Sequence, residues 1–280
     1  MNLHWFFKRY RWVFAVLVFV IALLGYSLLL QSILYPILLF AALFPGIIYL
    51  TIVRNSDVGH LEPRGVIALH ILIGIFLIYP ASIFENFGVS FLQTFGFSTD
   101  PGSIIFWILY ATIIVAPVEE VLKGFGNLFG YMFHQENDEP TDSIVYSVGI
   151  ATGFALFENY RYVFSTLTNY SYNDALILAI ARSFTAIPLH LGVAMLMGYY
   201  LSQYYYPEKF GLDVTSSPIY LIKAFLYPIL IHGGYDLVVF LFQTDFFIQV
   251  VLALVFIVIL NLWVWRKVIY LRNSIVDSIQ

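Results

Sequence analysis

The chain is a succession of long apolar runs separated by short polar stretches. The runs lack the apolar–polar alternation of a half-buried strand, and each is about 20 residues or longer, enough for a helix to cross a bilayer. Backbone polar groups in lipid must be satisfied within the protein, so helices are predicted rather than barrel strands. The predicted fold class is all-α, a polytopic transmembrane helix bundle with about eight spans. Eight apolar segments cover residues 11–30, 33–53, 65–92, 103–133, 144–165, 174–205, 217–242 and 246–268.

Positive charges between the segments predict the orientation, because cytoplasmic loops are enriched in Lys and Arg. All of these charges fall on one side if both termini are cytoplasmic, with Arg161 as the main exception. They are Lys8, Arg9, Arg11, Arg54, Arg64, Lys209, Arg266, Lys267 and Arg272. The run 12–30 is long for a signal peptide and no small-residue cleavage site follows, so we predict a retained signal anchor. Residues 1–64 are predicted to form two accessory membrane helices, and residues 65–280 a six-helix membrane core.

Composition excludes several classes of protein. Apolar residues make up 61% of the 280 positions, and only 11% are charged. A soluble protein of this length would carry roughly seventy charges, whereas this chain has thirteen Lys/Arg and seventeen Asp/Glu. A soluble enzyme, a disordered chain and a nucleic-acid partner are therefore not expected, and the absence of cysteine excludes thiolate metal sites. We expect a multi-pass protein embedded in the lipid bilayer of the plasma membrane.

A few ionisable residues lie inside the apolar segments. Inserting a charged group at the centre of a bilayer costs about 2.5–3.5 kcal/mol, so such residues are expected to have a functional role or a partner of opposite charge. Four of them lie about 14 or 15 residues from the predicted cytoplasmic end of their helices, a common level about 21–23 Å deep. These four are Glu119, Glu158, His190 and His232. Four helices would then bring carboxylates and imidazoles into one plane. The remaining ionisable residues are Glu120, Lys123, Arg161, Arg182, Lys223 and Asp236, while Glu85 is interpreted as solvated.

Helical spacing adds detail to this set. Lys123 follows Glu119 by four residues and Glu120 by three, so it can reach either acid. The two glutamates point about 100° apart around the helix, so one can face a site while the other pairs locally. Two more pairs share a helix face at a spacing of four residues: Glu158 with Tyr162, and His232 with Asp236. One alternative is that Glu119 and Lys123 form only a neutralising pair, which would leave Glu120 uncompensated, and another is that His190 and His232 have independent packing roles.

Prolines precede the site residues on three of the four helices. Pro117, Pro188 and Pro228 lie two to four residues before them, and each ring deprives an earlier carbonyl of its helical partner. The resulting kinks could enclose a small water-filled cavity, although proline is also common in membrane helices without such a role.

The residue types suit hydrolysis by activated water. A carboxylate near neutral imidazoles can act as a general base, and two histidines with one carboxylate also form a ligand set for catalytic zinc. Both alternatives lead to attack of water on a peptide carbonyl. Other protease chemistries lack their residues, since the chain has no His-Glu-x-x-His and no Gly-x-Ser-x-Gly, and Asp236 is the only clear mid-span aspartate.

Four motifs in order resemble the PrsW family of membrane-embedded proteases. Residues 119–123 resemble its EExxK motif, and residues 157–162 resemble its FExxxY motif. The third and fourth conserved helices of the family are matched by residues 182–190 and 232–236. The resemblance covers about half the chain, and the family is similar to type II CAAX prenyl endopeptidases.

The resemblance implies an endopeptidase that cleaves a membrane-anchored protein, such as an anti-sigma factor. It implies catalytic roles for Glu119, Glu120, His190 and His232, supporting roles for Lys123, Glu158, Tyr162 and Asp236, and Glu158, His190 and His232 as metal ligands. We prefer Glu119 as the general base, with Glu120 as an equal alternative, and Asp236 as the group that orients His232. The histidines would be ligands or oxyanion donors. Zinc is the implied cofactor, and a metal-free reaction stays open because no diagnostic zinc motif is present.

Two other functions also fit parts of the sequence. A proton-coupled secondary transporter could use a mid-membrane Glu/His site and broken helices, but the inverted repeats that it predicts are not evident. An inactive, protease-like membrane scaffold would be expected to have poorly aligned polar residues.

Overall fold

The apolar segments that fall within the described part of the chain coincide with helices. The computed structural model describes residues 34–57, 61–100, 102–133 and 138–279. Within these ranges it contains helices and no strand, which confirms the all-α prediction. The helices are α1 (Leu34–Asn55), α2 (Arg64–Thr94), α3 (Ile104–Leu109), a π-helix (Tyr110–Val115), α4 (Ala116–Phe133), α5 (Asp142–Asn169), α6 (Tyr172–Phe184), α7 (Ala186–Tyr205), α8 (Ser217–Leu241) and α9 (Phe246–Ile279), with 3₁₀ turns at Pro207–Phe210 and Val214–Ser216.

Six stretches of the described chain are long and apolar enough to cross a membrane. They are Tyr35–Asn55, Arg64–Thr94, Ile104–Tyr131, Tyr172–Tyr205, Ser217–Leu241 and Phe246–Asn273. The predicted segment 11–30 lies outside the described residues, so the total of eight spans and the cytoplasmic position of both termini stay predictions.

Helix α5 corresponds to the predicted segment 144–165 but is not among these six stretches. Its residues 142–155 are all buried, and α1, α2, α4, α6 and α7 pack around it. A helix that faces protein on every side needs no lipid-facing apolar surface, so it can carry polar residues through the bundle. Helix α5 is therefore the central helix of the fold.

Two glycines allow α2 and α5 to cross at very short distance. A Cβ atom at Gly153 would lie 1.9 Å from the carbonyl oxygen of Ile71, and one at Gly74 would lie 2.0 Å from that of Ile150. Small residues of this kind let the backbones of membrane helices approach closely. The crossing fixes α5, and with it the position of Glu158 farther along the same helix.

Two of the three prolines lie next to interruptions of regular helix. The π-helix Tyr110–Val115 precedes Pro117. Before Pro188 the helical structure is interrupted at Thr185, between α6 and α7. Proline cannot donate to the carbonyl four residues earlier, which favours such departures. Helix α8 continues through Pro228. The interruptions lie shortly before Glu119 and His190 in the sequence.

Three carboxylates are buried together where α1 ends and where α2 and α5 begin. Oxygens of Asp57, Glu62 and Asp142 lie within 4.8 Å of one another. Tyr146 donates a hydrogen bond to Glu62. Burial raises the pKa of the Glu62 carboxyl above its ordinary value of 4.5, and the charge of Asp57 raises it further, against hydrogen bonds to Asp142 and Tyr146 that lower it. Burial also raises the pKa of Asp142, from 3.8 to about 10, so the folded protein holds a proton on the Glu62–Asp142 pair more tightly than the unfolded chain does.

This raised pKa predicts a pH-dependent stability. Below pH 4.5 Glu62 is protonated in both the folded and the unfolded state, and its contribution to the free energy of unfolding is fully present. This contribution is lost as the pH rises through the raised pKa of the folded state. Thermal unfolding in detergent should show a midpoint that falls as the pH rises from about 5 upward, and the fall should be smaller in Glu62→Gln. The exposed Glu208→Gln is the matched control. Equal pH dependence in all three proteins would contradict this account.

Candidate active site

Four potential metal or proton ligands meet inside the bundle. One carboxylate oxygen each of Glu119 and Glu120 and one ring nitrogen each of His190 and His232 lie within 4.8 Å of one another. We call these four residues the Glu/His cluster. They come from α4, α7 and α8, and none is more than 4% exposed. Three of the four residues expected at one level, Glu119, His190 and His232, belong to this cluster, and the fourth, Glu158, contacts His190.

The ammonium group of Lys123 lies in the middle of this cluster. Its Nζ is 2.6 Å from Oε1 of Glu120 and 3.1 Å from Oε2 of Glu119. The same Nζ lies 3.1 Å from Nδ1 of His190. Both glutamates therefore pair with one lysine, as the helical spacing predicted, and the lysine also reaches a histidine on another helix.

A second set of side-chain contacts fixes the orientation of the His190 ring. Its Nε2 lies 2.8 Å from Oε2 of Glu158, and the guanidinium of Arg182 lies 3.1 Å from the same oxygen. The Nε of Arg182 donates to Asn159 at 2.7 Å, and its guanidinium lies 4.1 Å from the centre of the Tyr162 ring. A carboxylate at Nε2 assigns the proton to that nitrogen, which leaves the lone pair of Nδ1 directed at the cluster.

His232 lies between two carboxylates. Its Nδ1 is 2.7 Å from Oε1 of Glu120, and its Nε2 is 3.3 Å from Oδ2 of Asp236. The same Nε2 lies 4.0 Å from Oε2 of Glu119. The rings of His190 and His232 are nearly perpendicular with centres 5.0 Å apart. Asp236 therefore lies beside the ring of His232, although its Oδ2 accepts no hydrogen bond from the described residues.

A polar cavity of about 390 Å³ leads to the cluster. Glu119 lines it, whereas the fully buried Glu120 does not. From the cluster the lining continues to Ser82 and Glu85 on α2 and to Ser165 on α5. The two adjacent glutamates thus have different surroundings: one faces space that a substrate or water could enter, and the other is enclosed by Lys123 and His232.

The cavity also contains residues to which the sequence assigned no role in the site. Glu85, interpreted as solvated, is half-buried and lines the cavity. It lies within an apolar run, and that signal could have identified it. Arg182 is a mid-span charge in the sequence, and its contact with Glu158 is visible only in the structure. Tyr110 and Tyr235 also line the cavity. Tyr235 lies within the motif at residues 232–236, whereas nothing in the sequence context of Tyr110 sets it apart from the other aromatic residues.

The Glu/His cluster fits a divalent metal by the chemistry of its donors. Two imidazoles with carboxylates form a usual zinc ligand set. Nε2 of His190 lies 2.8 Å from Glu158, and Nε2 of His232 lies 3.3 Å from Asp236. Carboxylates commonly lie beside the second ring nitrogen of metal-binding histidines. In the described residues the contact network holds four carboxylates, from Glu119, Glu120, Glu158 and Asp236, but two permanently positive side chains, Lys123 and Arg182. Carboxylates thus outnumber the Lys and Arg side chains in this network of the described residues.

Ionisable side chains that converge beside a polar cavity, within helices otherwise apolar enough to span a bilayer, are typical of a membrane-embedded enzyme. Comparison with known proteins defines the family. Residues 62–263 match the model of the PrsW family intramembrane metalloproteases, and the chain belongs to this family. It is accordingly an integral membrane protein and a membrane-embedded protease that acts on protein.

Curated relatives agree with this assignment. The chain is 33% identical to a protein named Protease PrsW from Clostridioides difficile (strain 630), over 78% of this chain and 84% of the relative. Identity to Protease PrsW from Geobacillus kaustophilus (strain HTA426) is 29%, over 71% of this chain and 78% of the relative. For Protease PrsW from Bacillus subtilis (strain 168) it is 25%, over 71% and 80%. No solved structure matches the chain significantly.

Proposed function

We propose that the protein is an endopeptidase of the plasma membrane that hydrolyses a peptide bond of a membrane-anchored regulatory protein at the Glu/His cluster. The observation that carries this proposal is the placement of Glu119 at the boundary between the buried cluster and the polar cavity. Hydrolysis within a membrane needs a place where water and a peptide carbonyl can meet beside a base. The family resemblance supports an anti-sigma-like protein as the substrate.

Glu119 is the proposed general base because it reaches the cavity. It would take a proton from the attacking water and return it to the leaving amine. Glu120 is enclosed by Lys123 and His232, so a water molecule in the cavity has no direct route to it. In a metal-free reaction the imidazole of His232 would stabilise the developing oxyanion, with Asp236 holding the ring in place.

A metal-dependent reaction would use the remaining donors of the cluster. Zinc held by Glu120, His190 and His232 would supply a Lewis acid for the scissile carbonyl. Glu158, predicted from the sequence as a third ligand, contacts the opposite nitrogen of His190. We therefore propose that Glu158 orients His190 and that Glu120 is the carboxylate ligand.

Residues 1–64 are proposed to be accessory to this function. The family match begins at residue 62, and the site side chains come from helices α4 to α8. Helix α1 nevertheless packs on the core, since the backbone carbonyls of Ala41 and Ala42 accept hydrogen bonds from Ser183 and Asn159.

Cleavage by the purified protein tests the proposed function. The protein would be reconstituted in liposomes with single-span candidate substrates, and products would be identified by mass spectrometry. Wild type and the exposed control Glu208→Gln should cleave one bond, and Glu119→Gln and Glu120→Gln should not. Chelation followed by addition of Zn²⁺ would decide the metal dependence. Cleavage that persists in both active-site variants would reject the proposal, and proton flux without cleavage would favour the transporter.

A further inference from the structure

Lys123 occupies the position in the Glu/His cluster where a bound cation would be expected. Its Nζ contacts Glu120 at 2.6 Å, Glu119 at 3.1 Å and His190 at 3.1 Å. The side chain is only 2% exposed, and Nζ also lies 4.4 Å from the centre of the Phe154 ring. The lysine is thus held by contacts on several sides rather than extended into the cavity.

The ammonium group uses the same electron pairs that a metal would use. The lone pair of His190 Nδ1 is directed at the cluster because Glu158 holds the opposite nitrogen, and Lys123 is the group that meets it. A carboxylate oxygen of Glu120 is likewise in contact with Nζ. Zinc binds such nitrogen and oxygen atoms at about 2.0–2.2 Å. An ion bound to both atoms would share its donors with the ammonium group, and two positive charges repel strongly in a site that excludes water.

We propose that Lys123 is the resident cation of the Glu/His cluster and that a divalent metal binds there only after the ammonium has left Glu120 and His190. The lysine and the metal then compete for one set of donors. This inference rests on the proposed role of Glu120, His190 and His232 as metal ligands. It explains how two buried glutamates, adjacent in sequence, can be kept together in the protein without a metal.

Metal binding by lysine variants tests the competition. Zn²⁺ affinity would be measured by equilibrium dialysis against a competing chelator, and Co²⁺ absorption in the visible range would report nitrogen and oxygen ligands. Lys123→Met removes the ammonium and keeps the length of the side chain, and Lys123→Gln does so while retaining a donor for Glu120. Lys123→Arg preserves the charge and serves as the matched control. Each protein is also combined with His190→Gln, which identifies ions bound elsewhere, including at Asp57, Glu62 and Asp142.

The expected result is a gain in affinity when the charge is removed. Both neutral variants should bind Zn²⁺ about tenfold or more tightly than wild type, and this binding should be lost with His190→Gln. Lys123→Arg should stay close to wild type. The neutral variants should also gain more in unfolding temperature on addition of Zn²⁺ than wild type does, because at a given concentration a ligand that binds more tightly stabilises the folded state more.

Three results would overturn the inference. Equal affinity of wild type and both neutral variants would reject competition while leaving the metal site in place. Absence of His190-dependent binding in every protein would reject the ligand assignment itself, and cleavage dependent on Glu119 could still be observed in that case. Failure of both neutral variants to fold, with Zn²⁺ present as well as without it, would show that the metal cannot replace the ammonium.

Discussion

Glu119→Gln should lower the rate of substrate cleavage by about 10²–10⁴-fold, the range that loss of general acid–base catalysis commonly produces. Glutamine cannot take a proton from water at neutral pH. It can still accept a hydrogen bond from Lys123, which lies 3.1 Å away in the wild type. Lys123 also keeps Glu120 as a partner at 2.6 Å, so the variant should fold and should lose less unfolding temperature than Glu120→Gln, and its main defect should be in the turnover rate.

Glu120→Gln should behave differently because Glu120 is enclosed. Its Oε1 contacts both Lys123 at 2.6 Å and His232 at 2.7 Å, and the residue is 0% exposed. Lys123 would retain only Glu119, at 3.1 Å, as a carboxylate partner, so the cost should lie below the about 3–5 kcal/mol of a buried ion pair that is broken outright. The amide retains part of the hydrogen bonding, so we expect a clear decrease in unfolding temperature together with the loss of cleavage.

Initial cleavage rates and thermal unfolding of the two variants, measured side by side, separate these expectations. Loss of activity in both variants, with a smaller loss of stability in Glu119→Gln than in Glu120→Gln, would support the proposed division of roles. Wild-type cleavage by Glu119→Gln would exclude it as the base. If the stable, inactive variant were instead Glu120→Gln, the roles of the two glutamates would be exchanged.

The positions of the helices could be predicted because membrane insertion is governed by a signal along the chain itself. Apolar runs of sufficient length gave helix ends within a few residues of the observed ones, as for α2 and α8. The break at Thr185 and the π-helix Tyr110–Val115 were not predicted, since both depend on local backbone geometry beside a proline. Proline position alone does not specify that geometry, as the uninterrupted course of α8 through Pro228 shows.

The residues of the site could be predicted because charges are rare in membrane helices, but their partners could not. Depth along a helix follows from counting residues, whereas the direction of a side chain depends on how each helix is rotated against its neighbours. That rotation is fixed by packing, for example by the close contact of Gly153 with Ile71. The sequence therefore identified Glu158 and His190 as neighbours, but not that Glu158 would lie on the side of the ring away from the cluster.

Arg182→Gln should destabilise the protein and slow cleavage although Arg182 does not contact the Glu/His cluster. Its guanidinium compensates Glu158 at 3.1 Å, and Glu158 in turn holds Nε2 of His190 at 2.8 Å. The side chains of Arg182 and Glu158 are only 16% and 15% exposed, so the lost pair should cost about 3 kcal/mol. Groups that orient a functional histidine typically change activity by about 10–100-fold when removed.

Arg182→Lys and Arg161→Gln are the informative comparisons for this prediction. Lysine keeps the charge but cannot contact Glu158 and Asn159 together as the planar guanidinium does, so it should restore only part of the stability. Arg161 also lines the cavity but is exposed, and its replacement should cost less stability than that of Arg182. Unfolding temperature and cleavage rate are measured for all three. If Arg182→Gln retained wild-type cleavage, the orientation of His190 would have to be set by Glu158 without the arginine, and Arg182 would have no part in positioning the site.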